Sequence, residues 1–215
     1  MFTKKEILPI ILIIFAFGFG FLIYPKLPNQ IPSHWNIEGE IDNWSVKNFA
    51  VFFFPALTLV VYLLMTFISL IDPFRKNYLK FSRPYFWFRF LFVAFLISLY
   101  LYTLGAAFGA ELKINYFIIP ALAVFFILLG LFMPKIKRNY FVGIRTPWTI
   151  HSEETWNETH KFAGRVFIIA GIASLIGLFF LEYSFVIFII AIMSAVIMSV
   201  TYSYFVFRRM GGFKK

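Results

Sequence analysis

The residues best suited to chemistry lie in one polar segment, residues 134–161, between two apolar runs. His151, Glu154, Glu158 and His160 carry the imidazole and carboxylate groups that bind zinc or transfer protons. On a helix, however, Glu154 and Glu158 lie on a different face from His160. The His-Glu-x-x-His order that brings zinc ligands and a general base together is also missing. This spacing favours a structural or partner-binding loop, with a metal-dependent membrane enzyme as the alternative.

A second polar segment, residues 25–48, begins with three prolines in eight residues. Each proline fixes its own φ and moves the preceding residue away from helical geometry, so we predict a stiff, non-helical segment with turns near Gly39. His34 and Glu38 could form a metal or acid–base pair only on a helix, and two residues rarely make a site. His34 and Trp35 are instead expected to pack against the membrane interface.

The composition requires that membrane helices position both segments. The chain has 215 residues, of which 61% are hydrophobic and only 14% charged, too few polar residues to cover a soluble globule. About 20 apolar residues cross the hydrocarbon core, and isolated strands would leave backbone groups unpaired in lipid. The fold class is therefore all-α, a polytopic membrane bundle with six transmembrane helices. The predicted spans are residues 7–24, 49–71, 85–108, 116–133, 162–181 and 185–207.

Lysine and arginine positions orient these spans. If both termini are cytoplasmic, 17 of the 20 basic residues lie on the cytoplasmic side. Only Lys26, Lys47 and Lys113 then lie outside. Residues 25–48 are thus predicted to form an extracellular loop, and residues 134–161 a cytoplasmic one.

No Asp, Glu, Lys, Arg or His occupies the centre of a predicted span, which argues against a proton pump or a cation channel and makes a small transporter the weaker of the alternative functions. Arg89 and Glu182 lie close enough to span ends for their side chains to reach the interface. The basic residues flank apolar runs and do not form one basic, aromatic-rich domain, so the bilayer and not nucleic acid is the expected partner. The absence of cysteine excludes thiolate metal sites and disulfides.

Local signals predict helices within residues 134–161. Thr146 is a candidate N-cap with Pro147 at the first helical position, and Ser152 is a second candidate cap before two glutamates. The second helix should run toward the fifth span, with Gly164 as a joint. Its apolar face, expected to pack on the bundle, comprises Trp156, His160, Ala163 and Phe167. Its polar face, where Glu158 and Lys161 can pair, comprises Glu154, Glu158, Lys161 and Arg165.

Small residues recur every four positions on the last two spans, which favours close helix contact. They are Ala173 and Gly177 on the fifth span and Ala191, Ala195 and Ser199 on the sixth. The short connection between these spans predicts an antiparallel hairpin of helices.

A dense set of residues in the cytoplasmic segment carries a family resemblance. The set is Asn139, Gly143, Ile144, Arg145, Thr146, Pro147, Trp148, Ser152, Glu153, Trp156, Thr159, His160 and Gly164. In this set the chain resembles the SdpI family of immunity proteins against a secreted sporulation-delaying toxin. The outer segment resembles the amino-terminal membrane domain that often accompanies that family, through Leu27, Pro28, Ile31, Pro32, His34, Trp35, Asn36 and Gly39. We therefore expect two membrane domains, residues 1–110 and 111–215.

The resemblance implies a multi-pass protein of the bacterial plasma membrane that protects its host from a membrane-active peptide toxin. In the type system such a protein also senses toxin and holds a transcriptional repressor at the membrane, so a cytoplasmic repressor is an implied second partner. The family offers no catalytic residues to transfer, and neither enzyme activity nor a cofactor is expected. The matching residues of both segments are therefore candidate functional residues, not catalytic ones.

Overall fold

The computed structural model describes residues 4–109 and 113–212. In that part of the chain, six helices are long and apolar enough to cross a membrane, which confirms the predicted polytopic helical bundle. Lys214 and Lys215, which contribute to the predicted orientation, lie outside the described residues.

Eight α-helices follow one another along the described chain, and six of them are the candidate spans. They are α1 (Ile7–Ile23), α2 (Lys47–Ile71), α3 (Arg75–Tyr78), α4 (Ser82–Ala107), α5 (Asn115–Phe132), α6 (Pro147–His151), α7 (Glu153–Gly177) and α8 (Ser184–Arg209). The short helices α3 and α6 lie in connections. Five predicted spans agree with these helices to within a few residues, whereas α7 begins at Glu153 and not near residue 162.

Helix α7 is continuous, so the predicted joint at Gly164 is wrong. A Cβ on Gly164 would lie 2.7 Å from the carbonyl oxygen of Gly130 on α5, and one on Gly130 would lie 2.6 Å from the carbonyl oxygen of Gly164. One heptad along, a Cβ on Gly171 would lie 2.8 Å from the carbonyl oxygen of Ala123. Glycine is therefore needed here for close backbone approach between α5 and α7, not for a bend.

A single 3-10 turn (Tyr24–Lys26) follows α1, and the segment after it is non-helical, as predicted. It forms a β-hairpin that the residue patterns did not predict. Strand β1 (Gln30–Trp35) pairs antiparallel with β2 (Ile41–Val46), with irregular register around His34. His34 therefore lies beside Asp42, and its Nδ1 is 2.6 Å from the Asp42 carboxylate. The pairing of His34 with Glu38 required a helix and does not occur in the hairpin.

The described residues pack into two compact units, each discontinuous in sequence. One comprises residues 4–66, 89–109 and 113–118, and the other comprises residues 67–88 and 119–212. Apolar residues fill the core of each unit. The linear domain boundary near residue 110 stays a prediction, because packing and sequence divide the chain by different criteria.

A buried ion pair lies in the first unit. Arg89 and Glu6 are each about 6% exposed, and Nη2 of Arg89 donates to Glu6 Oε1 at 2.6 Å. Thr66 accepts from Nη1 of Arg89, and the Tyr62 hydroxyl donates to the second oxygen of Glu6. The expectation that Arg89 extends to the interface is therefore wrong, since an internal carboxylate satisfies its charge. Glu182 is exposed, in agreement with the expectation.

Candidate functional site

The connection between α5 and α6 is organised around the buried side chain of Asn139. Its Oδ1 accepts from the backbone N–H groups of Phe141 at 2.9 Å and Val142 at 2.7 Å. Its Nδ2 donates to the carbonyl oxygens of Lys137 and Val142. One amide thus satisfies backbone groups that the loop would otherwise bury without partners.

Residues before α4 complete this network within the second unit. The Tyr78 hydroxyl lies 3.1 Å from Asp72 Oδ2 and 3.2 Å from Asn139 Oδ1. Asp72 also accepts from the N–H of Tyr140 at 2.9 Å and from the N–H of Phe74 at 2.6 Å. The carboxylate is only 1% exposed, and these three donors stabilise its charge.

A hydrogen bond to His160 connects the middle of the loop to α7. The N–H of Ile144 donates to His160 Nε2 at 3.1 Å, and Nδ1 lies 2.8 Å from the carbonyl oxygen of Trp156. Because a backbone N–H can only donate, Nε2 must be the unprotonated nitrogen and Nδ1 carries the hydrogen. The ring is therefore neutral and fully buried, and both of its nitrogens form hydrogen bonds.

Gly143 lets the loop reach that ring. Its φ is +109°, a conformation that side chains disfavour, and a Cβ at this position would overlap His160 Nε2. Trp156 stacks on the His160 ring with centroids 4.1 Å apart, and its indole N–H donates to the Ile136 carbonyl at 2.8 Å. Gly143, Trp156 and His160 thus form one packed unit that fixes the loop. We call the network of Asp72, Tyr78, Asn139, Gly143, Trp156 and His160 the loop hub.

Both predicted helix caps are present. Thr146 accepts from the N–H of Thr149, and the Thr149 side chain accepts from the N–H of Thr146, a reciprocal cap for α6. The Thr146 hydroxyl also lies 3.1 Å from that of Ser203 on α8. Ser152 accepts from the N–H of Thr155 and begins α7. The caps therefore set the direction in which α7 leaves the loop.

The two faces predicted for the start of α7 are confirmed. The buried face contains Trp156, His160, Ala163 and Phe167, together with Thr155 and Thr159. On the other face Glu154, Lys161 and Arg165 are exposed, and Glu158 accepts from Lys161 at 2.8 Å. The small residues Ala195 and Ser199 on α8 and Gly177 on α7 are also buried, and a Cβ on Gly177 would lie 2.9 Å from Ile187.

The predicted candidate residues of this loop divide between the hub and the surface. Asn139, Thr146, Trp156, Thr159 and His160 are buried, whereas Arg145, Pro147 and Glu153 are exposed and Gly143, Trp148 and Ser152 are intermediate. Arg145 donates to the carbonyl oxygen of Tyr140 at 2.8 Å, so its backbone-facing nitrogen is engaged while the rest of the side chain meets solvent.

The imidazole and carboxylate groups of the loop do not converge. His160 is buried with both nitrogens engaged, Glu158 pairs with Lys161, and the ring of His151 packs against Phe207. In residues 4–109 and 113–212, no three His, Asp or Glu side chains form a group that could hold a metal ion. The His151, Glu154, Glu158 and His160 set is therefore not assembled as a site.

The candidate residues of the hairpin also divide by exposure. Pro32 and Gly39 are buried, Pro28 and His34 are exposed, and Trp35 and Asn36 are intermediate. The Asn36 side chain accepts from the N–H of Glu40 at 2.9 Å and closes the turn, in which Gly39 has φ +81°. Asn115 on α5 lies against Gly39 and donates to the carbonyl oxygen of Ile37 at 3.0 Å.

Sequence reasoning missed Asp72, Tyr78 and Asn115. Asp72 does leave a signal, because it is the single acidic residue in a connection that carries Arg75, Lys76, Lys80 and Arg83. An isolated carboxylate next to a helix end and before a proline indicates a backbone-capping role. Nothing local identifies its partner, which is 68 positions away in sequence.

Four of the six loop-hub residues, Asn139, Gly143, Trp156 and His160, lie in a segment that matches known proteins. A family model described as the SdpI/YfhL protein family matches residues 135–203. Over these residues the chain is similar to the SdpI family. A second model, a domain of unknown function (DUF1648), matches residues 11–59, and the resemblance inferred from the two polar segments is thereby confirmed.

Similarity extends over almost the whole chain. The chain is 28% identical over 210 residues to a protein named Immunity protein SdpI from Bacillus subtilis (strain 168). The match covers 97% of this chain and 99% of the relative. No solved structure matches the chain. The SdpI segment and the six apolar helices together make this chain a multi-pass bacterial membrane protein.

Proposed function

We propose that this protein is an immunity protein that protects its host cell from a secreted, membrane-active peptide toxin. The observation that carries the proposal is the similarity to Immunity protein SdpI along 97% of the chain, which includes both polar segments. The SdpI segment is not an isolated module here, because Asp72 and Tyr78, which precede it in the chain, form hydrogen bonds with Tyr140 and Asn139 within it. A scaffold of this kind suits binding and positioning.

The β-hairpin is the proposed contact for the toxin. Its loop and second strand expose Ile37, Ile41, Trp44 and Val46, with side chains 37–65% exposed. Carboxylates lie among these apolar groups, since residues 25–48 hold two lysines and three acidic residues. An apolar surface with slight negative charge complements a cationic, amphipathic peptide. This role requires the hairpin to lie outside the cell, with both termini in the cytoplasm, as the distribution of basic residues predicts.

The loop hub is the proposed inner scaffold. It buries Asn139 and His160 while leaving Arg145 and Glu153 at the surface. In this proposal the exposed pair belongs to a surface that holds a transcriptional repressor at the membrane when toxin is present. The buried residues keep that surface in shape, so they affect protection through structure and not through contact.

A toxin challenge tests the first part of the proposal. The chain is expressed in a Bacillus strain that lacks its own immunity protein, and growth is measured against the sporulation-delaying toxin of the type system. We expect protection, and we expect Ile41→Ser/Trp44→Ser to reduce it at equal membrane abundance. Glu158→Ala/Lys161→Ala is the matched control, because it removes a solvent-exposed ion pair outside the hairpin. Loss of viability with wild-type protein in the membrane would reject immunity to this toxin.

Variants of the inner loop test the second part. Arg145→Ala, Glu153→Ala and His160→Ala are each expected to reach the membrane and to protect poorly. A reporter gene under control of a repressor encoded beside this protein separates the roles further. If the surface holds the repressor, Arg145→Ala and Glu153→Ala will abolish toxin-induced expression. Full protection by all three variants at equal abundance contradicts a functional role for the loop.

A further inference from the structure

A cleft of about 490 Å³ lies in the second unit and is lined by none of the loop-hub residues. Arg83, Pro84 and Trp87 from the start of α4 line one side, and Phe132 and Lys135 from the end of α5 and the turn after it line the other. Its volume falls within the range of pockets that hold small organic ligands.

The charged rim of the cleft is cationic and uncompensated. Among the described residues, neither Arg83 nor Lys135 forms an ion pair, and no acidic residue lines the cleft. Two like charges facing one concave space repel each other unless an anion lies between them. The rim therefore selects for a negatively charged ligand.

The remaining lining residues are apolar, and the cleft lies near the ends of two of the long apolar helices. Arg83 is in the first turn of α4 and Lys135 follows the last turn of α5, so both cations lie at the ends of candidate spans. Trp87 is one helical turn further along α4, and tryptophan prefers the boundary between head groups and acyl chains. Phe132 faces the same space from α5.

We propose that this cleft binds an anionic phospholipid from the surrounding bilayer. The lipid phosphate lies between Arg83 and Lys135, and the upper part of an acyl chain packs along Trp87 and Phe132. Basic pockets between membrane helices commonly recognise such head groups. A free phosphate ion would bind the two cations but would not contact the three apolar lining residues. A lipid contacts both, so it complements the cleft better.

Native mass spectrometry of the purified full chain in detergent tests the proposal. Phosphatidylglycerol is titrated against phosphatidylcholine, and the fraction of protein carrying one bound lipid is measured. We expect tighter binding of phosphatidylglycerol, and roughly 30-fold weaker binding by Arg83→Gln/Lys135→Gln. The control Arg208→Gln/Arg209→Gln removes the same charge from the exposed end of α8 and should bind like the wild type. Equal loss in both double variants would overturn a specific site.

Three further measurements locate the ligand and test whether the variant stays folded. Quenching by brominated phosphatidylglycerol should fall when Trp87→Phe removes the reporter in the cleft, with no such change for brominated phosphatidylcholine. Inorganic phosphate at the same concentration should leave lipid binding unchanged, and displacement by phosphate would instead reject the acyl-chain contact. Equal binding of the two lipids by the wild type would reject selection by the cationic rim. Retained thermal stability of the Arg83→Gln/Lys135→Gln protein shows that lost binding does not come from unfolding.

Discussion

Gly143→Ala should destabilise the loop hub more than any other substitution in this loop that adds a single methyl group. Two independent costs combine at this position. The backbone has φ +109°, where a Cβ is strained, and that Cβ would overlap Nε2 of His160. The His160 ring must then move, and the N–H of Ile144 loses its acceptor.

The expected magnitude follows from these two costs. A non-glycine residue in a sparsely populated backbone region costs about 1–3 kcal/mol. A buried donor left without a partner costs about 1–3 kcal/mol more. The sum, about 2–6 kcal/mol, is a large part of the roughly 5–15 kcal/mol that stabilises a typical domain.

The assay is denaturant-induced unfolding of the purified protein in detergent, followed by tryptophan fluorescence, since Trp156 stacks on His160. Two glycine positions provide controls. Gly109→Ala introduces strain without collision, because Gly109 has φ +87° and a Cβ at this position would meet no atom within 4 Å. Gly18→Ala introduces neither strain nor collision in α1 and should be neutral or slightly stabilising.

A double-mutant cycle separates the two costs. In a His160→Ala background the collision is absent, so Gly143→Ala should cost only the backbone strain and resemble Gly109→Ala. If Gly143→Ala costs the same with and without His160, the collision is not the cause. A total cost below about 1 kcal/mol would refute the strain argument as well.

Three other predictions concern the ion pair, the Asn139 network and the topology. Glu6→Gln should destabilise the protein by about 3–5 kcal/mol in the same unfolding assay, because it leaves the buried Arg89 charge uncompensated. Asn139→Ala removes the acceptor of two backbone N–H groups, and limited proteolysis should then cleave the loop faster. In this cysteine-free chain, an impermeant maleimide on intact cells should label Glu38→Cys and spare Glu153→Cys.

Two of these predictions have matched control variants, and the third compares two labelled positions directly. Glu158→Gln breaks an exposed ion pair and should change stability by no more than about 1 kcal/mol, so an equal effect of Glu6→Gln would contradict the burial argument. Asn157→Ala alters an amide outside the Asn139 network and should leave proteolysis unchanged. Labelling of Glu153→Cys on intact cells, with Glu38→Cys protected, would reverse the proposed orientation.

Short-range rules predicted the part of the site that depends on neighbouring residues. Thr146 and Ser152 precede helices as caps, and helical periodicity places Trp156 and His160 on one buried face. These features need only a few consecutive residues. The span positions follow equally directly from hydrophobic length.

The features that the sequence did not reveal depend on distant partners. A glycine such as Gly164 looks like a joint until Gly130 is known to lie against it. Arg89 looks like an interfacial cation until Glu6, 83 positions away, is seen to accept from it. The hairpin was missed because Pro32 interrupts β1, the register is irregular, and neither strand has the alternating pattern that identifies a strand.

The contact of Asp72 with Tyr140 has a consequence for protein engineering and for gene recombination. The family match covers residues 135–203, yet an acceptor for the first part of that segment comes from the connection before α4. A graft of residues 135–203 into another membrane protein would carry the Tyr140 N–H without Asp72, whose carboxylate accepts its hydrogen bond. The smallest transplantable piece is therefore a split one, and chimaeras between homologues should exchange residues 67–88 together with the carboxyl-terminal half.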